Sequence, residues 1–358
     1  MNTDWAIVVG VRRYPGISDL DGSENDAEDF AKWLVDPAGG DVPPAQVRLI
    51  LSSQFPNPAD ASNASPTNVE VERAFEWLDD EAEKNRTTIG RKVGRRLYLY
   101  FSGHGYAPAR DDAALLMANA TPRRLGNHIA GKLWAEWIYQ SGYFEEIALF
   151  MDCCRDNYTS VQLRPAHLNQ VLDKNGMNKR KRFYAFGTDW DRKAWERLNP
   201  ADNKVHGVFT TALLSGLSGL AADKSTGLIT DASLKTYLHQ NMANFLSPEE
   251  RAGRPALSTD AQVFLESNAT GPMIFRQIPV AEVKKVKVRI HVPAADRDKN
   301  AGIFLGNDDT NPIESVAAVP EVWELELPKG LYEVRLASGA SELFKINASL
   351  ESQDVRFS

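Results

Sequence analysis

Cysteine is nearly absent from this chain: its 358 residues include two, and they are neighbours, Cys153 and Cys154. Adjacent cysteines cannot build a disulfide framework, which points to a reducing, cytoplasmic setting. Long apolar runs are lacking too. Nothing approaches the roughly 20 residues that a bilayer-spanning helix needs, and the first ten residues lead into a strand without the layout of a signal peptide. No membrane partner is therefore expected. Excess positive charge is also missing, because the formal net charge is -7. That sign argues against a general nucleic-acid binder. What remains is ordinary for a globular protein, 43% apolar and 25% charged, in a chain long enough for one large or two smaller domains.

The apolar runs Trp5–Val11, Val47–Leu51, Leu97–Phe101, Ile147–Met151 and Phe183–Phe186 are short for helices and read as buried strands. Helical patterns fall between and after them: Glu24–Val35 with Ser23 as its expected N-cap, a helix opened by Thr67, Ile129–Ser141, Val208–Leu220 and Ala232–Phe245. This alternation predicts an α/β fold with a mostly parallel sheet flanked by helices. From Met273 the pattern turns to period two, in Val286–Ile290, Trp323–Leu327 and Tyr332–Leu336, which predicts a small C-terminal all-β sandwich. The expected domains are residues 1–268 and 273–358. The second offers a surface for a regulatory protein partner.

Two of the apolar strands stop at polar clusters, Ser102-Gly-His-Gly105 and Asp152-Cys-Cys-Arg-Asp156. Open α/β sheets bind ligands beyond the carboxyl ends of their strands, so one crevice can hold both His104 and Cys154. A thiol becomes nucleophilic as its thiolate, and a nearby imidazole can take that proton and later return it to a leaving amine. Backbone N–H groups at Gly105 and Cys154 are candidates for stabilising an oxyanion. Strand alternation puts Asp152 and Cys154 on the same side and turns Cys153 into packing. A carboxylate so close raises the thiol pKa. The cysteine pair lacks further Cys or His at zinc-ligand spacing. No metal site or cofactor is expected, with any Ca²⁺ requirement left open. The other histidines, His206 included, read as surface or core residues.

Four segments, Gly22-Ser-Glu-Asn-Asp-Ala27, Tyr100-Phe-Ser-Gly-His-Gly105, Asp152-Cys-Cys-Arg155 and His206-Gly-Val-Phe-Thr210, resemble the caspase-like cysteine peptidases, within them the bacterial, metacaspase-type branch. The spacing of about 50 residues from His104 to Cys154 agrees with that family. The resemblance spans about Trp5 to Phe264 and implies one catalytic domain with a Cys154/His104 dyad acting on protein or peptide substrates. It also implies a regulated protease of signalling, defence or cell death. Aspartate-specific caspases have Gln-Ala before the cysteine, whereas Asp152 stands here, and their Trp-Arg pair after the fifth strand looks replaced by Trp195-Glu196. The resemblance thus implies a pocket for arginine or lysine built from Asp26, Asp152, Glu196 and Trp195. The plainer alternatives are Asp26 as a capping acid with Ser23, Glu196 as a solvated loop acid, Trp195 as a loop anchor, and the whole chain as a catalytically silent caspase-fold scaffold. The long connection 155–181 runs into the basic tetrad Lys179-Arg-Lys-Arg182, which the resemblance marks as a self-cleavage site.

Overall fold

The computed structural model describes residues 3–157, 161–166, 179–199, 202–223, 226–246, 260–266, 271–279, 285–305, 312–328, 330–346 and 352–357, together with 168, 172, 173 and 176. The chain divides into two compact units, residues 1–221 with 229–276, and residues 222–228 with 277–358. The expected boundary, between residues 268 and 273, lies partly outside the described residues, which omit 267–270.

The first unit is built on a six-stranded sheet. Strands β1 (Trp5–Gly10), β2 (Val47–Leu51), β3 (Gly94–Gly103), β4 (Phe144–Cys153), β5 (Lys181–Phe186) and β8 (Gln262–Glu266) lie in the order β8-β5-β4-β3-β1-β2. All neighbours pair in parallel except β8 with β5. Between β5 and β8 a separate hairpin, β6 (Glu196–Asn199) with β7 (Lys204–Gly207), stands off the main sheet. The chain order reverses between β1 and β3, so the crevice beyond their carboxyl ends is the expected ligand position.

Both faces of the sheet are covered. Alternate residues Ile7, Val9, Leu97, Leu99, Ile147 and Leu149 pack with Val71, Phe75 and Leu78 of α2 (Asn68–Lys84) and Trp134 and Ile138 of α3 (Gly131–Ser141). On the opposite face Phe30 of α1 (Ser23–Val35) stacks on Tyr100 with ring centroids 4.5 Å apart. Buried on both faces, the central strands show continuous apolar runs rather than alternation. Helix α2 starts where Thr67 announces it, and Glu70 accepts the Thr67 N–H at 2.7 Å in a capping box. Helix α1 differs from expectation. Its N-cap is Gly22, and Ser23 spends its hydroxyl on the Val11 carbonyl at 2.7 Å, tying the helix start to the end of β1. The apolar stretch Val208–Leu220 is helical in two parts, α4 (Val208–Ser215) and a wider turn, Gly216–Leu220, where Gly219 has φ +140°. Helix α5 (Asp231–Asn241) follows.

Beyond Lys179, which is exposed, the basic tetrad is not the free tip that its charge suggests. Arg180 is buried, donating to the Tyr139 carbonyl at 2.7 Å and pairing with Asp173. Lys181 and Arg182 open β5 and pair with Glu146 at 3.2 Å and Glu136 at 2.6 Å. A peptidase binds its substrate as an extended segment, but Lys181 and Arg182 are already paired with β4, Arg182 is paired with β8 as well, and Arg180 is held by its buried side chain. We therefore expect no cut after Arg180, Lys181 or Arg182. After prolonged incubation the wild type should be as intact as Cys154→Ala by mass, the two differing by one sulfur atom; a wild-type-only fragment ending at one of these residues would contradict this.

In the second unit, β12 (Val322–Pro328), β9 (Lys285–His291) and β15 (Ser352–Arg356) form one sheet. Strands β11 (Glu314–Val316), β10 (Ala301–Leu305), β13 (Gly330–Leu336) and β14 (Ser341–Ile346) form another. Val286, Val288 and Ile290 of the first share a core with Ile303, Tyr332, Val334 and Ile346 of the second, which is a β-sandwich. Among the described residues no helix is long and apolar enough to cross a membrane.

Candidate active site

Strand register places the two candidate catalytic residues. Ser102 pairs with Asp152 and Gly103 with Cys153, so His104 and Cys154 are the next residues on adjacent parallel strands. Gly105 keeps them close: a Cβ on it would lie 2.7 Å from Cys153 Sγ and 2.7 Å from the Cys154 carbonyl, which no side chain could occupy. Cys153 is buried in the core on the α2–α3 side, and Cys154 is partly exposed at the strand end. Alternation thus separates two chemically identical neighbours into a packed residue and an accessible one.

The imidazole of His104 is held by groups after β1. Its Nε2 lies 2.9 Å from the Ser18 carbonyl. A carbonyl only accepts, so Nε2 carries the proton and Nδ1 the lone pair, which makes Nδ1 the ring's basic atom. The ring also meets Tyr14 edge-on at 4.7 Å, while the Tyr14 hydroxyl accepts the His104 N–H at 3.0 Å and donates to the Leu116 carbonyl at 2.9 Å. Cys154 Sγ accepts the Ala194 N–H at 3.4 Å. Thiol and imidazole are not hydrogen-bonded to each other in this resting arrangement, as is common before substrate tightens a site. Burial pushes the Cys154 thiol up to about 11, with Asp156 and Asp152 adding to it and the Ala194 N–H opposing. The resting residue is therefore a thiol, and to act as a nucleophile it would need a base to take its proton.

Arg155, next to the nucleophile candidate, is fully buried. Its guanidinium donates to the carbonyls of Asp112 and Thr188 at 3.0 Å each, and to the Arg110 carbonyl and Gln262 Oε1. It also lies 4.7 Å from the centre of the Phe186 ring. One cation thus anchors the turn after Cys154 to three other segments. Sequence reading assigned Arg155 no role, and its burial was the missing information. The Ser18 carbonyl was equally invisible, since a backbone group leaves no residue-type signal.

The acids expected to line a pocket do come together. Asp152 Oδ2 accepts from the Thr210 N–H at 3.1 Å and the Thr210 hydroxyl at 2.6 Å. Asp26 is buried and accepts from the Gly207 N–H at 2.8 Å and from His206 Nδ1 at 3.0 Å, so it serves the hairpin and not a cap with Ser23. Both carboxylates converge on Gly207: a Cβ there would lie 2.1 Å from Asp152 Oδ2 and 2.9 Å from Asp26 Oδ2. Burial first, and then the Asp26 charge, raises Asp152 to about 8. Burial also raises Asp26, against its hydrogen bonds to His206 and Gly207, to about 6. Glu196, on exposed β6, reaches back to accept from the Gly22 N–H at 3.1 Å and the Asp21 N–H at 3.3 Å. Trp195 is buried, its carbonyl accepting the Val208 N–H at 2.9 Å, which suits an anchor at the base of the hairpin. His206, read as a surface or core residue, is buried, and it also bonds Asp26 directly. Its place in the segment His206-Gly-Val-Phe-Thr210 was the signal available.

The chain is similar to several known proteins. A probable protease of a Desulfuromonadales bacterium is 27% identical over 220 residues, covering 60% of this chain and 26% of that protein, so the chain spans about a quarter of its relative's length. The crystal structure of caspase-1 from Spodoptera frugiperda superposes with a TM-score of 0.44 at 14% identity, covering 77% of this chain and 93% of that one. The structure of its pro-form gives 0.42 at 13% identity, covering 78% and 92%. The sequence profile of the caspase domain matches residues 3–270, and the chain belongs to that family of peptidases.

Proposed function

We propose that the protein is a cysteine endopeptidase that cleaves after arginine, and less readily after lysine, using Cys154 as nucleophile and His104 as general base. The observation that carries the specificity is the convergence of Asp26 and Asp152 on Gly207, beside the strand end that bears Cys154. Two carboxylates without a buried partner cation of their own in Asp152's case favour a guanidinium and repel an acidic side chain. In the reaction, His104 takes the Cys154 proton as sulfur attacks the scissile carbonyl. The N–H groups of Gly105 and Cys154 are the proposed donors to the developing oxyanion. His104 then protonates the leaving amine, and water hydrolyses the thioester. This chemistry draws on no cofactor. The second unit carries none of these groups, and its proposed task is to hold a regulatory partner. The biological role we propose is a regulated cut in signalling, defence or cell death.

One observation favours a second reading, a catalytically silent caspase-fold scaffold: His104 bonds Ser18 and the thiol stays protonated. A single assay separates the two. Fluorogenic peptides ending in Arg, Lys or Asp are offered to the whole chain with and without iodoacetamide. Arg should be cut fastest, Lys more slowly, Asp not measurably, and alkylation should stop all turnover. Faster cleavage after Asp would overturn the pocket, and no cleavage of any peptide would favour the scaffold.

A further inference from the structure

The acid pocket contains a cation that the proposed chemistry does not use. His206 on β7 is buried, with Nδ1 3.0 Å from Asp26 Oδ1 and Nε2 2.8 Å from Asp202 Oδ2. Asp29 Oδ2 lies 3.8 Å from the same Nδ1. The hydrogen bond to Asp26, with Asp202 adding to it against burial, raises His206 to about 9, so at neutral pH both ring nitrogens donate and the ring is an imidazolium. Although Asp29, Asp202 and His206 bring ligand atoms within 4.8 Å of one another, an imidazolium has no lone pair to give a metal. The clamp is also mechanical. Asn25 donates to the Val205 carbonyl at 3.0 Å and the Gly207 N–H donates to Asp26 at 2.8 Å, fastening β7 to α1 on both sides of His206.

We propose that His206 is a positioning residue of the pocket: clamped between Asp26 and Asp202, it holds the Asp26 carboxylate ionised and aimed past Gly207, and so sets the selection for a cationic side chain. The proposal rests on the arginine-pocket reading above. Other charged groups surround the clamp. Helix α1 contributes Asp29, already paired with Lys32 at 2.7 Å. Strand β6 contributes Glu196 and Arg197, the latter directly across the hairpin from His206. The end of β4 contributes Asp152, and Tyr100 on β3 reaches it through Thr210. Apart from Lys32 and Arg197, these groups are acids or neutral, and Lys32 is engaged with Asp29. His206 is the cation in hydrogen-bond contact with Asp26.

Its removal leaves only the Gly207 N–H to oppose burial at Asp26. The carboxyl then keeps its proton at neutral pH, and a guanidinium must bind against a neutral group where a charge had been. The expected signature is in substrate binding. In His206→Gln, KM for an arginine peptide should rise about tenfold at pH 7, with the acid limb of kcat/KM moved upward by about one pH unit. Discrimination between arginine and its uncharged citrulline analogue should narrow in step. Asp202→Asn, on the exposed turn, loosens the same clamp without touching the pocket and should shift the profile in the same direction by less. It carries the comparison if the glutamine variant misfolds. An unmoved acid limb with unchanged KM overturns the proposal, as does a kcat that falls equally at every pH, the mark of a merely structural role. A second arm needs no turnover. In NMR of the histidine-labelled full chain, with His206 assigned by its loss in H206Q, the ring should remain protonated through pH 7 and lose that in Asp26→Asn. Titration near the ordinary value of about 6.5 in the wild type overturns the clamp. If the wild type refuses arginine peptides, the pocket reading alone fails, and this arm still decides the role of His206.

Discussion

Cys154→Ala is expected to remove peptidase activity, by about 10⁵-fold or more, while Cys153→Ala keeps it within a few-fold. The contrast follows from strand geometry. Cys153 lies 1% exposed in the core, where burial pushes its thiol far above the ordinary range. Cys154 sits past the last paired residue of β4, open to the crevice. The alanine at 153 removes one sulfur from a packed site and costs stability, on the order of 1–2 kcal/mol, but no chemistry. His104→Ala should approach the effect of Cys154→Ala, because a thiol raised to about 11 supplies little thiolate at neutral pH without a base. Measurement of kcat/KM on an arginine peptide for the three variants is decisive. An active Cys154→Ala with a dead Cys153→Ala would move the nucleophile by one residue and refute the parity argument.

Asp152→Asn should lower kcat/KM for arginine peptides by about 10²–10³-fold, the usual scale for losing one member of a buried charge contact. The substitution keeps shape and can still bond Thr210, so the loss reports charge. Its pH dependence adds a second readout. The folded protein holds a proton on Asp152 up to about pH 8, whereas an unfolded chain releases it near about pH 4. The folded state thus binds the extra proton between those values, so the contribution of this group to stability is greatest below that window and is lost as pH rises through it. A cationic substrate side chain binds the ionised form, so at low pH its binding must expel the proton. Arginine-peptide kcat/KM in the wild type should climb toward pH 8, and the asparagine variant should lose that part of the rise. Thermal melts of the empty protein from pH 5 to 8 should show a downward slope that the variant reduces. A variant with wild-type activity and an unaltered pH profile would remove Asp152 from the pocket.

Much of the frame is legible in the sequence. The runs Leu97–Phe101 and Ile147–Met151 announced strands buried on both faces, and parity alone separated Cys153 from Cys154. The hairpin that carries Glu196 and His206 was read as loop. Its strand Glu196–Asn199 is mostly exposed and has no apolar alternation to betray it. The edge strand Gln262–Glu266 was missed as well.

By itself the sequence determined which strands are buried, where they stop, and that a histidine and a cysteine stand at two such stops. These are properties of local periodicity, and periodicity is written in residue order. The tertiary structure alone decided which charges share a volume. Asp26 and His206 are 180 residues apart and hydrogen-bonded, and Asp152 reaches Thr210 across 58 residues. It also decided that three of four consecutive basic residues are not a free loop, because Arg180 finds a buried carbonyl and an aspartate while Lys181 and Arg182 enter a sheet. Charge in a sequence looks solvated by default. Whether it is paired, buried or left to meet a substrate depends on distances that only the folded chain sets.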